Sequence, residues 1–321
     1  MSLTVLIVGL GQIGMGYDLA LDPAVHVYTH ARAFREHPRF CLVGGVDVDS
    51  KRREIFTRTY SCPAYADLTI ALREHDPAVV VIAVPTQYHD TTLHNVLQLS
   101  HPQAVLCEKP LAYKLEEAHR MVAACSARGV RLYVNYMRRS DTGVIECKRR
   151  LDSGEITAPV KGVAWYSKGF LHNGSHLFNL LEYWLGSVRN SSILNRGRLW
   201  TEIDPEPDIQ VGFVRGTVVF LAAWEEAFSH YAIELVSPSG RLRYEQGGKL
   251  IQWQSTHADR DLPTYTMLSS VVEIIPCGMH RYQWHVAEQL ARAMEGQEAS
   301  LCTGTDALDT LIGMQKILEQ E

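Results

Sequence analysis

The 321-residue sequence predicts an α/β half on a doubly wound parallel sheet, followed by an α+β half on an antiparallel sheet. Three observations carry this. An apolar run rich in β-branched residues, Leu3-Thr4-Val5-Leu6-Ile7-Val8, leads directly into Gly9-Leu10-Gly11-Gln12-Ile13-Gly14. Buried-type strands then alternate with helices as far as Val134. Beyond that, apolar and polar residues alternate one for one, the pattern of a sheet with one face on a core.

A strand followed by G-x-G-x-x-G is the phosphate-binding turn of a dinucleotide fold. Gly9 allows the tight turn, Gly11 lets backbone N–H groups reach a pyrophosphate, and Gly14 lets the helix pack on the strand. Gln12 and Ile13 lie inside that turn, and the anion sits at a helix N-terminus. Phe40 to Val46 reads as the second strand, closed by Asp47. A carboxylate there accepts hydrogen bonds from ribose hydroxyls and repels a 2′-phosphate, which favours NAD over NADP. Gly14 and Asp47 are 33 residues apart; the usual spacing is about 20. The excess, Met15 to Thr29, contains Pro23 and no clean helical period, and reads as an insertion next to the cofactor; a helix resumes at His30 to Arg35. Arg52 and Arg53 are placed to hold a 2′-phosphate, but beside Asp47 they read as solvated helix residues.

The remaining first-half elements are helices over 51–60, 67–75, 92–99 and 115–128, and strands over 78–84, 104–107 and 130–134. Such alternation implies right-handed βαβ units and a parallel sheet covered on both faces. In the second half, 160–166, 209–214, 217–224, 232–236 and 250–254 read as antiparallel strands, and 282–294 and 305–318 as helices. The expected boundary lies near Tyr136, giving a dinucleotide domain over 1–135 and a substrate and oligomerisation domain over 136–321.

Charged residues make up 21% and hydrophobic residues 46%, enough for a sizeable core and against extensive disorder. A net charge of −5 gives no electrostatic case for nucleic acid. No apolar run reaches the ~18–20 residues of a membrane span, and the N-terminus reads as a strand rather than a signal peptide. Seven scattered cysteines with no C-x-x-C pair read as reduced thiols of a cytoplasmic protein.

The Gly9 turn, Asp47, Val84-Pro85-Thr86 with His89, Glu108-Lys109-Pro110 and a distal helix carrying His176 together resemble the Gfo/Idh/MocA oxidoreductases. That resemblance implies a Rossmann domain paired with a larger open antiparallel sheet. It makes Lys109 the shared catalytic and substrate-binding residue beside the nicotinamide. Glu108 and Pro110 would shape the cofactor pocket, and Pro85, Thr86 and His89 would line it. It also implies a homodimer or homotetramer through the sheet, and a carbohydrate substrate. The physical case for Lys109 stands beside this. It follows a buried parallel strand at its carboxyl end, where open α/β sheets bind ligands, and partial desolvation moves a lysine towards the working pH.

His172, His176 and Asn179 are spaced by 4 and 3, which places them on one face if the helix begins near Asn173-Gly174-Ser175. The family pattern there is Asp-x-x-x-His-x-x-Asp. His176 takes the histidine position, the acid/base towards the sugar oxygen, whereas His172 and Asn179 stand where the acids are expected. Asn179 can orient an imidazole but adds no charge. H-x-x-x-H also suggests zinc, but no third ligand stands at metal spacing. Arg138 and Arg139 follow the last parallel strand and either hold a substrate anion or form salt bridges. Lys168 to Gly174, with Asn173, reads as a loop over the site, and Tyr166 and Lys168 as substrate contacts. Three functions stay open. One is an NAD-dependent dehydrogenase acting on a secondary alcohol of a sugar, inositol or nucleotide-sugar. The insertion and the 168–176 loop resemble members of surface-polysaccharide biosynthesis. The second is a regulatory, non-catalytic member, and the third an enzyme using tightly held NAD for oxidation followed by elimination or reduction.

Overall fold

The computed structural model describes residues 2–320, which divide into two compact units. The first comprises Met1–Ser140 and His280–Asp309, the second Asp141–Met279 and Thr310–Glu321.

The first unit alternates strand and helix: β1 (Leu3–Val8), α1 (His30–Glu36), β2 (Phe40–Val46), α2 (Ser50–Tyr60), β3 (Ala64–Tyr65), α3 (Leu68–His75), β4 (Val79–Ile82), α4 (His89–Leu99), β5 (Ala104–Cys107), α5 (Leu115–Ala127) and β6 (Arg131–Val134). Across the sheet the strands run β6-β5-β4-β1-β2-β3, all parallel, so the order reverses between β1 and β4. Open α/β sheets bind ligands beyond the strand ends at such a switch point. β4, β5 and the inner part of β1 are buried on both faces, which is why they read as unbroken apolar runs.

The expected single stretch 136–321 is corrected here. The helix Tyr282–Met294 packs Val286, Ala287, Leu290 and Ala291 into the first unit's core, and Cys302 pairs antiparallel with Val134. The parallel sheet needs an apolar stripe to cover this face, and the late helix supplies it.

The insertion has a simple backbone logic. Gly11 begins a helical turn, with Met15 N–H donating to Gly11 O at 2.9 Å. The ladder resumes fifteen residues later, where His30 N–H reaches Ile13 O at 3.1 Å and Ala31 N–H reaches Gly14 O at 2.9 Å. Residues 17–29 thus bulge out of one interrupted helix, and without these 13 residues Gly14 and Asp47 are 20 apart. The bulge is fastened from within. Buried Asp18 accepts from Tyr28 N, Thr29 N and Thr29 Oγ1 at 2.7, 3.0 and 2.9 Å. The Arg32 guanidinium donates to the carbonyls of Asp18, Leu21 and His26.

The second unit contains α6 (Thr142–Ser153), β7 (Val160–Tyr166), α7 (Ser175–Leu185), β8 (Val188–Thr201), β9 (Asp204–Phe213), β10 (Gly216–Ala222), β11 (Ala232–Ser237), β12 (Gly240–Glu245), β13 (Leu250–Ala258), β14 (Thr266–Leu268) and β15 (Glu273–Ile275). The strands run β14-β13-β12-β11-β7-β10-β9-β8, with β15 also on β13. The sheet is mostly antiparallel, but β7 and β10 pair in parallel, Val160 opposite Gly216 and Tyr166 opposite Ala222. The cause is α7, which returns the chain so that β8 starts in the direction of β7; two hairpins then bring β10 back beside it. Leu177, Phe178, Leu181 and Trp184 of α7 bury against one sheet face with Phe213, Phe220 and Tyr244.

Candidate active site

The glycine turn fits a dinucleotide for reasons visible in the backbone. Gly9 has φ +101°, and a Cβ there would meet Ala83 O at 2.5 Å. A Cβ on Gly14 would lie 2.1 Å from Gly9 O. At Gly11, by contrast, the nearest atom to an added Cβ is Arg52 Nη1 at 3.9 Å, and φ is not positive. No neighbouring protein atom demands glycine at that position. The open space over Gly11 is what close approach of a pyrophosphate requires.

Asp47, 8% exposed, is tied to this turn: Oδ2 accepts from Leu10 N–H at 2.8 Å and Oδ1 from Asp49 N–H at 2.9 Å. The two arginines are not equivalent solvated residues, as the sequence had suggested. Arg53 Nη1 donates to Asp47 O and Val48 O at 2.8 and 2.9 Å. Arg52 Nη1 lies 3.5 Å from Asp47 Oδ2.

At the end of β5, Glu108 turns inward. Its Oε1 accepts from His30 Nε2 at 2.7 Å and Asn135 Nδ2 at 2.6 Å, while Oε2 faces Lys109 N at 3.3 Å. Burial alone would raise this carboxyl; hydrogen bonds from His30 and Asn135, with the charges of His30 and Lys109, outweigh it and hold the carboxyl below its usual range. Lys109 follows at the carboxyl end of the strand, partly buried and in a cis peptide with Pro110.

His89 is not a lining residue. It is 1% exposed, with Nε2 at 2.9 Å from Val84 O and Nδ1 at 3.1 Å from both Pro110 O and Leu111 O. It therefore buttresses the Pro85-Thr86 segment against the segment after Lys109. Burial pushes its imidazole below the usual value, against the pull of those carbonyls and Glu108. Pro85 and Thr86 open the short 3-10 turn preceding α4. Arg138 is buried, and Arg139 pairs with Asp306 at 2.9 Å, the salt-bridge alternative for that residue. His30 and Asn135 escaped the sequence reading. The available signal was their placement, Asn135 just past a parallel strand and His30 where the helix resumes.

In the second unit, several expected substrate contacts are structural. Tyr166 is fully buried and its hydroxyl donates to Pro207 O at 2.6 Å; burial and nearby carboxylates push the phenol far above its usual value. Strand alternation faces it into the core. Lys168 is paired with Glu225 at 2.8 Å. The expected loop 169–174 is a π-helical turn. Asp204 fastens it, accepting from Leu171 N and His172 N at 2.8 and 2.9 Å, and Glu206 accepts from Gly169 N at 3.0 Å. His172 sits in that turn, before α7, so helical spacing relates only His176 and Asn179. Asn173 Nδ2 donates to Tyr231 OH at 2.5 Å. His176 is 7% exposed. Asn179 is fully buried; its Nδ2 donates to Thr310 Oγ1 at 2.9 Å, which donates to Glu182 Oε2 at 2.5 Å. It packs within the unit rather than lining a groove. Among the described residues no cluster of three or more His, Cys, Asp or Glu could hold a metal, and no helix is long and apolar enough to cross a membrane.

Residues 3–136 match the family model described as "Oxidoreductase family, NAD-binding Rossmann fold", GFO_IDH_MocA. This stretch is similar to the NAD-binding Rossmann part of that family. Inositol 2-dehydrogenase 3 of Saccharopolyspora erythraea is 33% identical over 166 residues, 50% of this chain and 44% of that protein. The chain thus spans less than half the length of the curated relatives it matches. The similarity of fold extends over both halves. The WlbA dehydrogenase of Bordetella pertussis, solved with NADH and UDP-GlcNAcA, superposes over 99% of this chain and 94% of its own, with a TM-score of 0.75 and 17% identity. Aldose-aldose oxidoreductase of Caulobacter crescentus, complexed with glycerol, covers 99% and 97%, with a TM-score of 0.77 and 17% identity. At these identities the superpositions establish the fold of both halves.

Proposed function

We propose that the chain is an NAD-dependent dehydrogenase that oxidises a secondary alcohol of a sugar, inositol or nucleotide-linked sugar. The observation that carries this is the open space over Gly11 in the same unit as Lys109, whose strand end is fixed by Glu108, His30 and Asn135. The names of the inositol and nucleotide-sugar relatives support the substrate class. Backbone N–H groups of Gly9–Gly14 would hold the pyrophosphate and Asp47 the ribose. Bound there, NAD supplies the hydride acceptor. Lys109 would hydrogen-bond the reacting oxygen and take its proton. Single-turnover absorbance at the reduced-nicotinamide band, with a panel of inositols, sugars and nucleotide-sugars, tests it. A nucleotide-sugar response would support the reading of a cytoplasmic enzyme of surface-polysaccharide assembly.

A second reading, a regulatory dinucleotide- and sugar-binding protein, is favoured by one observation. Asn179 replaces the family acid and gives its amide to Thr310. A sugar that binds tightly while the nicotinamide never changes redox state selects this reading.

Exposed Leu194, Leu199 and Val236 on the sheet strands support a homodimer or homotetramer formed through residues 160–255.

A further inference from the structure

We propose that the bulge of 17–29 serves substrate recognition: it fixes Tyr282 so that the phenol hydroxyl donates to a substrate hydroxyl on a carbon next to the one being oxidised. This deepens the reading above and rests on the part of it that makes the ligand a sugar or cyclic polyol.

The bulge and the start of the helix Tyr282–Met294 are clasped together. Val27 N–H donates to His280 O at 3.0 Å, Gln283 N–H donates to Val27 O at 3.2 Å, and Arg281 Nη1 donates to Ala24 O at 2.8 Å. Tyr28 stacks on Tyr282, with ring centroids 5.1 Å apart and planes at 19°. The Tyr28 hydroxyl meets His26 Nδ1 at 3.2 Å, inside the bulge. Aromatic pairs hold preferred geometries, so the ring of Tyr282 is oriented by a residue that only the bulge supplies.

Tyr282 lies close to the Lys109 end of the sheet. Its neighbour Gln283 is buried and places Nε2 3.4 Å from His30 Nε2, the nitrogen that meets Glu108 Oε1 at 2.7 Å. Lys109 follows Glu108 directly. Burial raises the Tyr282 phenol, and Glu108, with Tyr17, Asp18 and Tyr28, acts in the same direction. The hydroxyl therefore stays protonated and can donate.

That donor is uncommitted. Among the described residues no group hydrogen-bonds the Tyr282 hydroxyl. The acids around it are engaged elsewhere: Glu108 Oε1 by His30 and Asn135, and Asp18 by Tyr28 N, Thr29 N and Thr29 Oγ1. A sugar or inositol hydroxyl supplies the missing acceptor. A cyclic polyol carries hydroxyls on both sides of the carbon being oxidised, so a second donor near Lys109 selects which carbon faces the nicotinamide. A site that hydrogen-bonds a substrate hydroxyl rejects the analogue lacking it.

The test crosses Tyr282→Phe, which keeps the ring and its stack, with deoxy analogues. The probes are myo-inositol, glucose and UDP-glucose, whichever responds, and the monodeoxy analogues lacking a hydroxyl beside the oxidised carbon. Tyr282→Phe should lower kcat/KM for the parent by about tenfold, mainly through KM, and leave NADH affinity within about twofold. One analogue should lose about the same factor with the wild type and nothing further with Tyr282→Phe. Tyr28→Leu should lower kcat/KM for the parent, and Tyr28→Phe should restore it. The proposal is overturned by a Tyr282→Phe protein with wild-type kcat/KM, by an equal loss on parent and every analogue, or by a matching loss of NADH affinity. If a probe binds without turnover, the dehydrogenase reading falls and the same cycle is read by calorimetry in binding affinity. A chain that binds none of the probes overturns both.

Discussion

Glu108 illustrates how one buried carboxylate organises the residues around it. It collects His30, Asn135 and the Lys109 amide, so Lys109 leaves the strand from a fixed point. Lys109→Ala should abolish hydride transfer while leaving NAD affinity within a few-fold, because the phosphates are held by backbone; stopped-flow absorbance and calorimetry read the two separately. His176→Ala should slow turnover by about 10²–10⁴ if it is an acid/base. A loss of less than about tenfold would make it a lining residue. Glu108 also has a pH signature. Its folded-state pKa lies below its unfolded value, so its contribution to stability is present above the ordinary carboxylate range and lost as pH falls through the folded value. Glu108→Gln should therefore flatten the acid limb of a stability-against-pH curve measured by denaturant titration below about pH 4.5. What was legible at this scale were residues whose type is forced by the backbone, Gly9 and Gly14. Tyr166 and His89 were legible as residues but not as roles, since spacing does not tell which side of a chain faces the core. The partners His30 and Asn135 come from 78 and 27 residues away from Glu108, beyond any local pattern.

Among the elements, the two least regular stretches are held by buried acids. Asp18 fastens the bulge of 17–29 through three accepted hydrogen bonds, and Asp204 fastens the π turn through two. Asp18→Ala leaves buried donors unmet and should cost on the order of 2–3 kcal/mol by denaturant unfolding. Asp204→Asn removes the charge and one acceptor; hydrogen exchange at Leu171 and His172 should quicken, while amides of α7 change little. Strands β1, β2, β5 and β7 were readable to the residue because an apolar run or strict alternation marks a buried strand. β8 was not, because it lies largely exposed at the sheet edge and carries few apolar residues. β12 is hidden between turn-like residues that in fact start and end it.

For the whole molecule, the order of elements was legible and their allegiance was not. The helix 282–294 has a clear apolar stripe, but a stripe does not name the sheet it covers, and it joins the first unit. The parallel β7–β10 pair was hidden for a similar reason, since strand direction depends on the crossover and not on the strand. The open sheet of the second unit carries the assembly prediction. Light scattering at micromolar concentration should show a dimer or tetramer, and an aspartate at Leu199 or Val236 should shift the population towards monomer. A wild-type monomer would remove that proposal.

The interrupted helix after Gly14 has a consequence for how such chains are compared. Counted by hydrogen bonds rather than by position in the chain, His30 stands where residue 17 would stand in an unbroken helix. The fingerprint separating the glycines from the ribose acid is thus a ruler laid along the backbone ladder. Alignment columns measure a different length. A relative with no bulge, or a much longer one, would share the same binding geometry while looking displaced on paper. The junction is also a natural docking port for graft experiments, since a foreign segment entering and leaving there needs only to return the chain to Ile13 and Gly14.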